Sequence, residues 1–269
     1  MTGARIGRFA HLAFCVLVFI FLVAPIIVIV PLSFNAEPYF TFTEGMLRLD
    51  AEAWSLRWYR EVLENEAWTR SLANSLVIGI SATLLATALG TLAALGLSNP
   101  AMPARRFITG LLISPMVTPV IISAAGMFFF YTNVGLAQTH LGLILAHATL
   151  GMPFVVITVV ATLAGFDRNL TRAAASLGAG PVRIFRTVQL PLIAPGVISG
   201  ALFAFATSFD EVVVVLFMGG LEQRTIPRQM WAGIREQISP AILAVATFLV
   251  VFALALLLTV EWLRRRAST

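Results

Sequence analysis

Arg172-Ala173-Ala174-Ala175-Ser176-Leu177-Gly178, followed nine residues later by Val188-Gln189-Leu190-Pro191, sits between two long apolar runs and decides how the chain is read. Leu170, Arg172, Ala173, Ala174 and Ala175 are good helix formers, so a short helix is expected over 168–176. Asp167 or Asn169 is placed to cap its first turn. Gly178 suits a left-handed helix end, where a Cβ is costly. A second short helix is expected over 181–188, with Pro181 in its first turn and Leu190-Pro191 breaking it before the next apolar run. The product is two short helices around a sharp turn whose small alanines can enter a partner's groove. A plain basic loop that only fixes orientation is the competing reading.

The surroundings of this segment are a membrane protein's. Of 269 residues 59% are hydrophobic and 12% charged, and the mean hydropathy is +0.91; soluble domains carry about 25% charged residues. Six apolar runs, at about 12–34, 72–97, 107–130, 141–166, 192–218 and 241–263, are each long enough to cross about 30 Å of hydrocarbon at about 1.5 Å per residue. The first follows Arg5 and Arg8, but its length and the lack of a small-residue cleavage site favour a retained helix over a signal peptide. Pro25 and Pro31 are expected to kink or end it, and Pro115, Pro119 and Pro153 to distort later spans. The expected fold is an all-α membrane protein with six transmembrane helices. Residues 1–70 hold the first helix and an extracytoplasmic segment, and 71–263 form the core, with 167–191 as its connecting segment. In 35–70 the patch from Trp54 to Tyr59 reads as an amphipathic or interfacial helix, with aromatics of a kind that favour the headgroup region.

An even number of spans puts both ends on one side, and arginine chooses the side. All 18 basic residues are Arg. Arg5, Arg8, Arg105, Arg106, Arg168, Arg172, Arg183, Arg186, Arg264, Arg265 and Arg266 share one face, while the other has Arg48, Arg57, Arg60, Arg70, Arg224, Arg228 and Arg235, partly offset by acids. The positive-inside rule places both termini and 167–191 in the cytoplasm. The net charge of +5 therefore reports orientation, and without a basic aromatic face there is no case for nucleic acid. Cys15 reads as a packing residue, and His11, His140 and His147 lack metal-ligand spacing, so no metal or catalytic residue is assigned. Gly79, Gly90, Gly96, Gly196 and Gly200 permit close helix approach, and the Gly196/Gly200 step is suited to a helix interface, including one with a partner chain.

Ser208-Phe209-Asp210-Glu211 places two carboxylates inside the fifth run, toward the outer leaflet. Each costs about 2.5–3.5 kcal/mol at a helix centre. Adjacent helical residues point about 100° apart, so the two cannot face one spot. An acid meeting a cationic solute and an acid held in a structural ion pair or lying near the outer interface remain equally open readings.

The spacing Ala173-Ala174, Gly178 and Leu190-Pro191 resembles the cytoplasmic coupling loop of ATP-binding-cassette (ABC) importer permeases, with Val188 in place of Ile and Arg172 in place of Glu. Ser208 to Val214, Gly219, Thr225-Ile226-Pro227 and Ile238-Ser239-Pro240 resemble the second permease of spermidine/putrescine-type importers, a likeness covering Ser71 to the end. The resemblance implies a type-I ABC importer permease of the bacterial inner membrane that carries a small cationic solute, with a polyamine or related amine as cargo. It implies a homologous second permease in a heterodimer, two cytosolic ABC ATPase subunits and an extracytoplasmic binding protein, with the first helix wrapping the partner permease. ATPase coupling then falls on Arg172, Ala173, Ala174, Gly178, Leu190 and Pro191, and the substrate pathway on Ser208, Asp210 and Glu211. No cofactor is expected on this chain, because a chain without Lys cannot form a phosphate loop; ATP and magnesium belong to the partner ATPase. Another cargo (an opine, thiamine, ferric ion or an anion), a secondary transporter and a membrane scaffold are the rival readings.

Overall fold

The computed structural model describes residues 2–236 and 239–267. Its helices are α1 (Thr2–Leu32), α2 (Glu44–Arg48), α3 (Arg57–Glu64), α4 (Glu66–Ser98), α5 (Arg105–Val117), α6 (Val120–Asn133), α7 (His140–Ala164), α8 (Arg168–Ser176), α9 (Pro181–Ile184), α10 (Leu190–Phe209), α11 (Val213–Met218), α12 (Ile226–Glu236) and α13 (Ala241–Ala267). The described residues contain no strand beyond one isolated bridge between Asn35 and Trp54. Among the described residues four helices are long and apolar enough to cross a membrane: Gly7–Leu32, Glu66–Ser98, His140–Ala164 and Pro181–Phe209. The pair α5 and α6 passes jointly but is bent by 104°, and Ala241–Ala255 is apolar but shorter. The chain forms two compact units, one of Met1–Thr69 with Met230–Thr269 and one of Arg70–Gln229.

In the first unit, α1 runs through Pro25 and ends one residue after Pro31. Its aromatic side chains are bare: Phe14 is 65% and Phe21 78% exposed. Cys15 shares this exposure instead of packing inside. The aromatics after it behave differently from a headgroup belt. Trp58 is buried against Ala241 and Ala244 and donates its indole N–H to Asn35 O at 2.7 Å. Tyr59 Oη lies 2.6 Å from Ser33 Oγ, and Arg57 covers the Trp58 ring at 4.3 Å. Buried ring donors need partners, and the chain end of α1 supplies them, so this patch locks the segment to protein and not to lipid.

The second unit is built around α7. Val155 and Val159 of α7 are fully buried, as are Ala82, Ala86 and Ala94 of α4 and Ile193 and Ala204 of α10. Small residues set the spacing. A Cβ on Gly200 would stand 2.7 Å from Val155 Cα, one on Gly196 2.9 Å from Thr158 O, and one on Gly90 2.8 Å from Val155 Cβ. Without a hydrophobic force between helices in lipid, such close approach is what gives dispersion its grip. The Gly196/Gly200 step is thus used within the chain.

Three expected features differ. The run 107–130 is not one straight helix: Thr118 is extended ahead of Pro119, which has no N–H to continue the ladder. The run 192–218 is two helices, because α10 stops at Phe209 and α11 starts at Val213. Leu190-Pro191 breaks nothing. Phe185–Gln189 is a π-turn, in which Leu190 N–H reaches back to Phe185 O, and the helix continues into α10 with Pro191 in its first turn. The widened turn passes a proline through without a stop.

Candidate functional site

The turn between α8 and α9 is a Schellman closure. Asp167 accepts from Asn169 N–H at 2.9 Å and starts α8. At the other end Gly178 has φ +81°, Gly178 N–H donates to Ala175 O at 3.0 Å and Ala179 N–H to Ala174 O at 3.1 Å. The closure satisfies carbonyls that a frayed end would leave to water. Ala173 and Gly178 are exposed and Ala174 is half-buried. Leu177 and Val182 are 88% and 66% exposed, so the tip shows apolar side chains to whatever meets it. Ile184 is buried and anchors the second arm. Arg172 is exposed; Leu190 is half-buried and Pro191 exposed, both inside the continuous helix Pro181–Phe209.

That helix ends at the acid pair, and the break gives the two carboxylates different work. Glu211 Oε1 accepts from Val214 N–H at 2.9 Å and so caps α11. Asp210 is the C-cap of α10, is exposed, and its carboxylate has no hydrogen-bond or ion-pair partner among the described residues. Ser208 is buried: its hydroxyl lies 2.8 Å from His147 Nδ1, pinning α10 to α7. Of the three residues expected along a pathway, Asp210 alone offers an exposed carboxylate. The structure does not bring these three to the coupling residues. Ser208 lies about 26 Å along this helix from Pro191 at about 1.5 Å per residue, and the turn residues Arg172 to Gly178 precede its start.

Sequence reasoning missed a polar clasp on the loop that follows α11. Asn74 Nδ2 donates to Glu222 O at 2.7 Å and Arg224 O at 2.9 Å, while its Oδ1 lies 3.0 Å from His140 Nε2. Ser75 Oγ accepts from Ile226 N–H at 2.8 Å, and Arg70 pairs with Glu222 at 2.7 Å. Arg228 donates to Gly219 O at 2.9 Å and Gly220 O at 2.7 Å, which fixes the other end of the loop; burial, then Arg224 nearby, lowers its pKa. Gly219 and Thr225-Ile226-Pro227 of the resemblance belong to this loop, with Thr225 and Ile226 buried. Ile238 lies outside the described residues. Asn74 in an apolar run was the available signal, since a buried amide needs partners.

Comparison with known proteins matches residues 86–269 to the family described as binding-protein-dependent transport system inner membrane component. The chain is 32% identical over 258 residues, 96% of this chain and 97% of the relative, to the spermidine/putrescine transport system permease protein PotC of Haemophilus influenzae. It is 31% identical over 238 residues, 86% of this chain and 82% of the relative, to the putrescine transport system permease protein PotI of Escherichia coli. A solved bacterial ABC transporter involved in importing the acidic polysaccharide alginate has a chain of similar fold, with TM-score 0.77, 16% identity and 97% of each chain covered.

Proposed function

The chain belongs to the family of binding-protein-dependent transport inner-membrane components and is a permease subunit of an ABC importer, and from that premise we propose that its cargo is a polyamine, spermidine or putrescine. It pairs with a second, different permease chain, two cytosolic ATPases and an extracytoplasmic binding protein in a bacterial inner membrane. Six spans cross the bilayer: α1, α4, the bent pair α5–α6, α7, the helix Pro181–Phe209, and α13. Both termini and the α8–α9 turn lie in the cytoplasm, a reading supported by the eleven arginines on that face. The core is 71–263, with 1–70 as an accessory first helix and outer segment; the bare surface of α1 supports its wrapping the partner permease.

One observation carries the mechanism: an unbroken helix, Pro181–Phe209, joins the turn to Asp210. ATP closure in the partner ATPases draws the turns together through Ala173, Ala174, Gly178 and the exposed tip. A rigid helix transmits that displacement along its length and moves the Asp210 carboxylate at its outer end. Polyamines are polycations, and an unpaired acid at that point draws them inward from the binding protein. ATP and magnesium act in the ATPase subunits alone. Asp210→Asn tests the cargo step. Uptake of labelled spermidine by the full complex should fall while complex yield and binding-protein-stimulated ATPase persist. Uptake at the wild-type rate would remove Asp210 from the pathway.

A further inference from the structure

Behind the α8–α9 turn, the ends of α4 and α7, the first turns of α8 and the entry to α10 enclose a cleft of about 380 Å3. Its floor is apolar, made by Leu95, Leu163 and Phe166, and its polar wall carries Arg168, Arg172 and Thr171. No carboxylate lines it; that of Asp167 is turned to the Asn169 amide. Arg168 donates to Ser98 O at the end of α4, which leaves further N–H groups unused on the same guanidinium. The Arg172 guanidinium makes no hydrogen bond or ion pair among the described residues. Thr171 Oγ1 is buried with no partner. Two cations and an orphaned hydroxyl gathered around an apolar floor are an incomplete arrangement, and an anion with an apolar tail completes it.

We propose that this cleft holds the phosphate of an anionic phospholipid, with its first acyl carbons over Leu95, Leu163 and Phe166. Arg172 and the free N–H groups of Arg168 take the phosphate oxygens, and Thr171 Oγ1 donates a third bond. Leu92 of α4, 62% exposed and one turn farther from the α4 terminus, continues an apolar surface for the chain. The floor favours a lipid over free phosphate, which has nothing apolar to bury. The exposed apolar tip of the turn, Leu177 and Val182, does not line the cleft. The proposal rests on the cytoplasmic placement of this face, where anionic headgroups attract arginine. Its consequence is mechanical: the headgroup ties α8 to the ends of α4 and α7 and stiffens the lever on which the ATPase acts.

The test uses the complete transporter in nanodiscs of phosphatidylcholine with and without phosphatidylglycerol, with lipid retention read by native mass spectrometry. The wild type should retain phosphatidylglycerol, and Arg172→Gln should weaken retention about tenfold, the scale of one charge-assisted contact. Arg172→Lys should restore most of it, which separates lost charge from misfolding. Inorganic phosphate should not displace the lipid; displacement at millimolar phosphate would overturn the lipid source. Unchanged retention in Arg172→Gln, or loss of the ATPase from that variant with retention unchanged, would overturn the site. Labelling of a cysteine introduced at Ser176 from the cytoplasmic side reports the topology independently, so its failure is distinguishable from failure of the lipid site.

Discussion

Gly178 carries the sharpest test of the coupling turn, because its environment isolates one variable. A Cβ added there meets nothing within 4 Å, so substitution creates no clash inside the chain. What remains is φ +81°, a conformation that costs an ordinary L residue about 1–2 kcal/mol and a β-branched residue more. Asparagine tolerates the left-handed region much better. Gly178→Val should therefore shift the Schellman closure toward alternative turns by at least about 5- to 30-fold, since about 1.4 kcal/mol is a factor of ten. Gly178→Asn should shift it far less. The assay is binding-protein-stimulated ATPase activity and cargo uptake by the full complex, together with the amount of ATPase retained on purification. Valine should uncouple or release the ATPase while asparagine stays near wild type. Normal transport and retention in Gly178→Val would refute the reasoning. Equal failure of both variants would show that bulk in the partner's groove, not backbone conformation, sets the requirement.

Other outcomes follow from the same packing. Gly200→Val would force α7 and α10 apart, since its Cβ would lie 2.7 Å from Val155 Cα, and should cost about 1–3 kcal/mol, read as a lower thermal midpoint of the purified protein. Glu211→Ala removes the α11 cap and should cost about 0.5–2 kcal/mol in the same assay, with cargo preference unchanged. Asn74→Leu strips two hydrogen bonds from the loop 219–226 and one from His140, and should raise the protease or hydrogen-exchange susceptibility of the loop. Unchanged exchange in that loop would show that Arg70, Ser75 and Arg228 hold it without Asn74.

The local features were the legible ones. Asp167 as a cap, Gly178 in the left-handed region and α8 over 168–176 are all decided by a few neighbouring residues, and the structure has them there. The π-turn was not legible: Pro191 reads as a stop unless the preceding turn widens, and nothing in Phe185 to Gln189 announces that. The break after Phe209 depends on Glu211 turning forward to cap Val214 when a continuous helix was equally consistent with the apolar count. Pro119 was readable as a distortion but not as a 104° bend. The clasp of Asn74 on Glu222 and Arg224 joins residues about 150 apart in sequence, and no periodicity encodes such a pair. Trp58 read as interfacial because its residue type suits lipid headgroups as well as a buried site with a carbonyl partner.

The central claim is that this chain passes a polyamine under the control of a separate ATPase. It is tested most directly by ATPase activity of the complex, assembled with its partner subunits in lipid nanodiscs, with the binding protein added alone, spermidine or putrescine added alone, and both together. The account predicts strong stimulation only when the binding protein and a polyamine are both present. Stimulation by the binding protein with a different solute and not with polyamine would contradict the cargo assignment, and failure of any ATPase to assemble with the chain would contradict the coupling mechanism itself.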